Sequence, residues 1–303
     1  MHLRIEHTTE YRYPWPSVDS HNEVRLVPFS DADQAVHGWE LVTQPAATVV
    51  GRSTPSGWVH TFTVREPHDR LAITLRADVE TTLWDPFPRV NLVNPDLVHY
   101  RSARLRREWR AYLEPTIYVP TSPEVARLAA PFFQAEIPVA ECLFNWMRWI
   151  HANFEYDTDA THVQTTLPEV LVRRAGVCQD LTHLMLAGCR EHGIPCRYVS
   201  GYLYVGDDPT MRGEQATHAW VECLMPNGTW YGLDPTNNLA ANDHFVRVHF
   251  GRDYADVSPT MGIYIGGPTQ SLRVHVSVTA IDPATVDPLG ATPPAASPTP
   301  VRT

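Results

Sequence analysis

From His2 to about Thr82, apolar and polar residues alternate in short runs such as Leu3-Arg4-Ile5, Val59-His60-Thr61-Phe62-Thr63-Val64 and Leu71-Ala72-Ile73-Thr74-Leu75. A period of two predicts strands with one buried face. Turn chemistry at Tyr13-Pro14-Trp15-Pro16, Thr54-Pro55-Ser56-Gly57 and Glu66-Pro67-His68-Asp69 breaks the runs at the spacing of an antiparallel β-sandwich. Residues 1–85 therefore read as an N-terminal β-domain, expected to pack or to shape a substrate site, with no catalytic residue assigned to it. Residues 86–120 are rich in Pro, Arg and aromatics, show no clear period, and read as an irregular connection. Over 121–282 helical spacing takes turns with strands: Ser122 with Pro123 opens one helix, and about Val139 to Asn153 forms another whose Leu143, Phe144, Trp146, Met147 and Ile150 make a core-facing stripe. Leu272 to Val278 alternates cleanly and closes a sheet. Residues 283–303 are mostly Pro, Ala, Thr and Ser and are expected to be disordered. The fold class is α+β.

The informative stretch is Arg174-Ala175-Gly176-Val177-Cys178-Gln179-Asp180, which opens a helix running to Gly193. Leu181, Leu184, Met185 and Cys189 recur at three- and four-residue spacing, and Gly193-Ile194-Pro195 supplies the stop. A cysteine at a helix N-terminus sits among unsatisfied N–H groups at the positive end of the macrodipole, both of which favour thiolate. Free cysteines are usually small buried hydrophobes, so position alone does not make Cys178 a nucleophile. A partner base is needed.

Forty residues on, Ala216-Thr217-His218-Ala219-Trp220-Val221-Glu222-Cys223 reads as a strand, Pro226-Asn227-Gly228 as a turn, and Thr229 to Asp234 as the returning strand. With Met225 opposite Thr229, His218 lies opposite Thr236, and Asp234 is its diagonal neighbour on one face. The carboxylate can then fix one imidazole nitrogen and leave the other for the thiol. A slip of one residue would throw Asp234 to the other face, and Asp243 is a weaker spare.

Taken together, Gly-Val-Cys-Gln-Asp, then Thr-His-Ala-Trp-Val-Glu, then Gly-Leu-Asp-Pro-Thr-Asn resemble the signature of the transglutaminase-like superfamily, in the family's order. The likeness extends to Arg197–Tyr202 and Val248–Val257, and the N-terminal β-region is similar to the companion domain of bacterial members. The resemblance implies a papain-like core, an acyl-enzyme on Cys178, His218 as general base and acid, and Asp234 as its orienter. The Cys178 backbone N–H is one expected oxyanion donor; Gln164 and Tyr156 are candidates for the second.

Other chemistries are disfavoured. Cys189, His192 and Cys196 lie close in sequence but lack a second Cys-x-x-Cys pair, so buried packing is expected and no metal or other cofactor is. No EF-hand-like loop suggests calcium. A net charge of −10 with no basic run argues against nucleic acid as a partner, and no stretch of about 18 apolar residues suggests a membrane span. Five cysteines, an odd number, and no apolar leader point to a cytoplasmic protein. The expected partner is a protein or peptide offering an amide. Hydrolysis is favoured, as by a cysteine protease or amidase, because water needs no second pocket. The alternatives are a glutamine transglutaminase with an amine acceptor and a non-catalytic binding module. All 24 cationic residues are arginines, so the chain cannot crosslink to itself through lysine.

Overall fold

The computed structural model describes residues 1–87, 97–159, 165–206, 210–212, 217–267 and 271–286. Gln164, most of the 205–215 loop and the tail from 287 lie outside the described residues, while Pro283–Thr285 forms a single 3-10 turn.

Five strands build the N-terminal region: β1 (His2–Val24), β2 (Gln34–Gln44), β3 (Val50–Thr54), β4 (Gly57–Val64) and β5 (His68–Thr81). The three alternating runs fall within β1, β4 and β5. The alternation of β1 places Leu3, Ile5, His7 and Thr9 on one face, all of them buried. Leu3 and Ile5 enter the apolar core, whereas His7 and Thr9 carry polar groups onto the same face farther along.

Connecting residues hold more structure than the pattern announces. A short helix, α1 (Ala103–Glu108), is capped by Ser102 Oγ accepting from the Leu105 N–H. It buries none of its residues, which is why it shows no apolar period. Helix α2 (Pro123–Ala129) has Ser122 as its N-cap and Pro123 in its first turn, and α3 runs Val139–Asn153, both where the sequence places them. Next come β6 (Glu155–Tyr156), α4 (Leu167–Arg173), β7 (Ala175–Gly176), α5 (Cys178–Glu191), β8 (Cys196–Leu203), β9 (His218–Leu224), β10 (Trp230–Asp234), β11 (Leu239–Ala240), β12 (Phe245–Gly251), α6 (Tyr254–Val257), β13 (Thr260–Ile265) and β14 (Ser271–Ala280). Helix α5 ends where Gly193 takes a left-handed φ of 79°, as the Gly-Ile-Pro stop requires.

The helices pack on one face of the sheet formed by β8, β9 and β10, around Leu143, Trp146, Leu184, Met185 and Leu233. Helices α3 and α5 cross so closely that a Cβ on Gly188 would fall 2.5 Å from the Trp146 indole nitrogen. Trp146 is fully buried, and its replacement by alanine would cost about 3–5 kcal/mol. On the opposite face Tyr202 of β8 and Val246 and Val248 of β12 join Leu3, Ile5, Leu71 and Leu75 in a second core. The strands follow the order β11-β10-β9-β8-β12-β4-β1-β5-β2, so one sheet runs through both regions. Between them the ladder narrows to the pair His249 and Gly57. Arg247 reinforces that junction, bonding Asp31 and Asp33 on one side and Glu222 of β9 on the other. Arg197 also pairs with Glu222. Burial alone would raise the Glu222 pKa, but the two guanidiniums outweigh it and hold it below the usual range.

Strand β1 is the spine of the N-terminal region. Its first half pairs with β5 and β14, and after a register shift between Arg12 and Ser17 its second half pairs with β4 and β13. The last strong strand in the sequence therefore closes a sheet on β1, from Leu3 opposite Ala280 to Arg12 opposite Ser271.

Candidate active site

Cys178 is the first residue of α5, following the extended N-cap Val177. The Val177 N–H donates to Asp180 Oδ2 at 2.9 Å, which fixes the entry angle of the chain. The two-residue strand β7 just before it pairs in parallel with β6, with Tyr156 beside Gly176. That pairing brings Tyr156 to the N-terminus of the cysteine helix. Burial, foremost, and then the neighbouring Cys178 push the Tyr156 hydroxyl up to about 12.

The hairpin adopts the register expected of its turn. The Met225 N–H donates to the Thr229 carbonyl at 2.8 Å, and Trp230, Tyr231, Gly232 and Leu233 face Leu224, Cys223, Glu222 and Val221. His218 starts β9 and Asp234 ends β10, and His218 Nε2 donates to Asp234 Oδ2 at 2.8 Å. Both side chains are fully buried. The carboxylate is also clamped from behind: its Oδ1 accepts from the Thr236 N–H at 2.8 Å and the Asn237 N–H at 3.3 Å, and its Oδ2 accepts from Asn237 Nδ2 at 2.8 Å. Asn237 is locked in turn by two bonds to the Arg212 backbone. The sequence reading missed Asn237, although Asp-Pro-Thr-Asn is the pattern of a carboxylate that caps its own following turn. Asp243, the spare candidate, lies elsewhere, 3.8 Å from the Met1 ammonium.

With Nε2 committed to Asp234, His218 Nδ1 is buried and has no hydrogen-bond partner among the described residues. Burial by itself would lower the histidine's pKa. The Asp234 carboxylate overrides it, the Cys178 thiol adds to the effect, and the pKa is pushed up to about 10.

Cys178 and His218 line one cavity of about 310 Å³. Its walls come from three parts of the chain: Tyr156, Tyr198 and Tyr254 from the helical region and its sheet, His7 and Thr9 from β1, and Leu272 and Val274 from β14. By area that lining is mostly apolar, with hydroxyl, amide and imidazole groups set into it.

Away from the cleft, Cys189 and Cys223 sulfurs lie 4.0 Å apart, Cys196 Sγ donates to the Leu186 carbonyl, and His192 stacks on Phe133. Burial holds the Cys189 and Cys196 thiols well above the normal range, the behaviour of packed hydrophobes. The one grouping of potential metal ligands among the described residues is His2, His37 and Glu80, on β1, β2 and β5, where Glu80 accepts from His37 at 3.2 Å. No helix among the described residues is long and apolar enough to cross a membrane.

Two family models match the chain: the transglutaminase-like superfamily over residues 127–235 and the bacterial transglutaminase-like N-terminal region over 3–80. An uncharacterized protein of Mycobacterium leprae is 33% identical over 282 residues, covering 92% of this chain and 99% of the relative. Another, from Mycobacterium tuberculosis, is 33% identical over 292 residues, covering 91% of both. Among solved structures, a candidate cysteine protease from Cytophaga hutchinsonii aligns with a TM-score of 0.74 at 23% identity, over 96% of this chain and 94% of that one. That likeness extends over nearly the whole fold.

Proposed function

Since the chain belongs to the transglutaminase-like superfamily, with the bacterial N-terminal region fused to the core, we propose that it catalyses thiol-dependent acyl transfer at an amide, with Cys178 as nucleophile, His218 as acid and base, and Asp234 as orienter. One observation carries this reading. His218 spends Nε2 on Asp234 and keeps a buried Nδ1, without a hydrogen-bond partner among the described residues, in the cavity that Cys178 lines.

The imidazole cannot rotate without breaking the Asp234 bond, so Nδ1 is the nitrogen that exchanges a proton with the thiol. Cys178 Sγ attacks the carbonyl carbon, and the C=O electrons move onto oxygen. The N-terminus of α5 offers the Cys178 backbone N–H to that oxyanion, and the Tyr156 hydroxyl is the side-chain donor at hand in the same cavity. When the C–N bond breaks, His218 Nδ1 gives its proton to the departing amine and a thioester remains on Cys178. Water then attacks the thioester, His218 takes one of its protons, and the acid leaves as the thiol recovers its hydrogen. Hydrolysis is the preferred outcome because water needs no second pocket beside the cavity of about 310 Å³ that Cys178 lines.

The test is mass spectrometry of a peptide pool rich in glutamine and ordinary amide bonds, treated with wild type or Cys178→Ala, with and without a primary amine. Cleaved or deamidated products that need Cys178 and ignore the amine are expected. Amine adducts on glutamine would make the protein a transglutaminase, and an unchanged pool would favour a binding module.

A further inference from the structure

The cleft wall supplied by β1 contains a hydrogen-bond chain whose direction is fixed from one end to the other. The Tyr202 hydroxyl lies 3.0 Å from the Leu26 carbonyl oxygen, which can only accept, so the phenolic proton points there. Its oxygen must then accept from His7 Nδ1, 3.0 Å away, and His7 carries its proton on Nδ1. His7 is 1% exposed, has no charged partner among the described residues, and burial holds its pKa down at about 4, so near neutral pH it has only that one proton. Nε2 is therefore bare, and it accepts the hydroxyl proton of Thr9 at 2.9 Å. Thr9 has spent its only donor inward. Among the described residues nothing donates to Thr9 Oγ1, and Thr9 lines the same cavity as Cys178. A threonine hydroxyl ordinarily serves as donor or acceptor, according to what approaches. Here the relay leaves an acceptor alone.

We propose that Thr9 is a specificity residue, an obligate acceptor that recognises a main-chain N–H of a peptide substrate next to the amide that Cys178 attacks. The proposal rests on the acyl-transfer reading of the cleft and adds its substrate class: peptides, with at least one N–H flanking the reacting bond. Strand β1 thereby takes part in recognition. Leu272 and Val274 of β14 and Tyr254 line the same cavity with apolar surface, which suits the side chain of the residue bearing that N–H.

The probe is a small set of N-acetyl dipeptidyl chloromethyl ketones together with analogues N-methylated at each amide in turn; Cys178 Sγ displaces chloride from each, and labelling is followed by intact mass. Iodoacetamide, which makes no use of the β1 wall, serves as the control. In wild type, methylation at one amide should slow labelling by roughly five- to tenfold, the worth of one net hydrogen bond. Thr9→Val should slow the parent compound by the same factor and be indifferent to methylation there, Thr9→Ser should behave as wild type, and iodoacetamide should label Cys178 equally in all three. The nitrogen chemical shifts of His7 should report a neutral ring protonated at Nδ1. The proposal is overturned if no methylation slows wild type, if the slowing persists in Thr9→Val, if no dipeptide outruns iodoacetamide, or if His7 carries its proton on Nε2. Sluggish iodoacetamide labelling of Cys178 in wild type would instead remove the acyl-transfer reading itself.

Discussion

The two walls of the cleft each hold a buried histidine, and the two behave in opposite ways. His218 stands against a carboxylate and is pushed up to about 10, whereas His7 stands against two hydroxyls and is held at about 4. Burial is nearly complete at both and by itself lowers the pKa of either. The difference lies in the partner. A buried anion turns an imidazole into a group that can hold and release a proton during chemistry, while neutral partners turn it into a fixed conduit that sets the polarity of a neighbour. On the proposed reading, the His218 wall is built to change protonation state and the β1 wall to keep its own.

That contrast can be broken in several ways. The largest effect should come from Cys178→Ala, which is expected to abolish turnover by a factor on the order of 10³ or more while the far-ultraviolet circular dichroism stays unchanged. Appreciable residual activity would place the nucleophile elsewhere. Asp234→Asn should reduce kcat by a factor on the order of 10² to 10⁴, since the amide no longer holds His218 in the working tautomer; kinetics at saturating substrate decide this. His7→Phe belongs to the other wall, and its effect should stay within about tenfold and fall on KM rather than kcat. A collapse of kcat in that variant would erase the distinction between the walls.

The smallest and most diagnostic effect is on stability against pH. Folding raises the His218 pKa from 6.5 to about 10, so the protonated ring stabilises the fold fully below pH 6.5 and that contribution is lost as pH rises through about 10. Folding lowers the His7 pKa from 6.5 to about 4, so stability is present above pH 6.5 and is lost as pH falls toward 4, where the unfolded chain binds a proton that the fold refuses. Urea titrations across pH should show Asp234→Asn flattening the alkaline limb. His7→Phe should relieve only part of the acid limb, because His60 and His249 are also held near 4 by burial. If Asp234→Asn leaves the alkaline limb as it was, the histidine and aspartate are not coupled in the way their 2.8 Å contact implies.

The legibility of these walls in the sequence differs for physical reasons. The His218 wall is encoded locally. A three-residue turn at Pro226-Asn227-Gly228 fixes the register of the strands on either side, so the pairing of His218 with Asp234 follows from counting, and Cys178 stands out by opening an apolar helix. Helices α2 and α3 were equally readable from a cap and a stripe. The β1 wall depends on a contact between residues some 270 apart, and no local signal says that Leu272 to Val278 returns to Leu3 to Arg12. A hint was present in β1 itself, where the buried face passes from Leu3 and Ile5 to His7 and Thr9. Two polar residues on a face that should remain apolar mark the point where that face stops being core. Tyr156 was readable as a neighbour of Cys178 only as one candidate of two, because the two-residue pairing of β6 with β7 that positions it is too short to leave a periodic trace.

The return of β14 to β1 also bears on synthesis. Cys178, His218 and Asp234 are all translated before Leu272 and Val274, so a nascent chain can carry all three while one side of the cleft is still missing. The first half of β1 meanwhile has β5 on one edge and nothing yet on the other. On the proposed reading, substrate recognition is thus the last property of the cleft to be acquired, and the Cys178 thiol lacks a complete binding site until Leu272 and Val274 have been made.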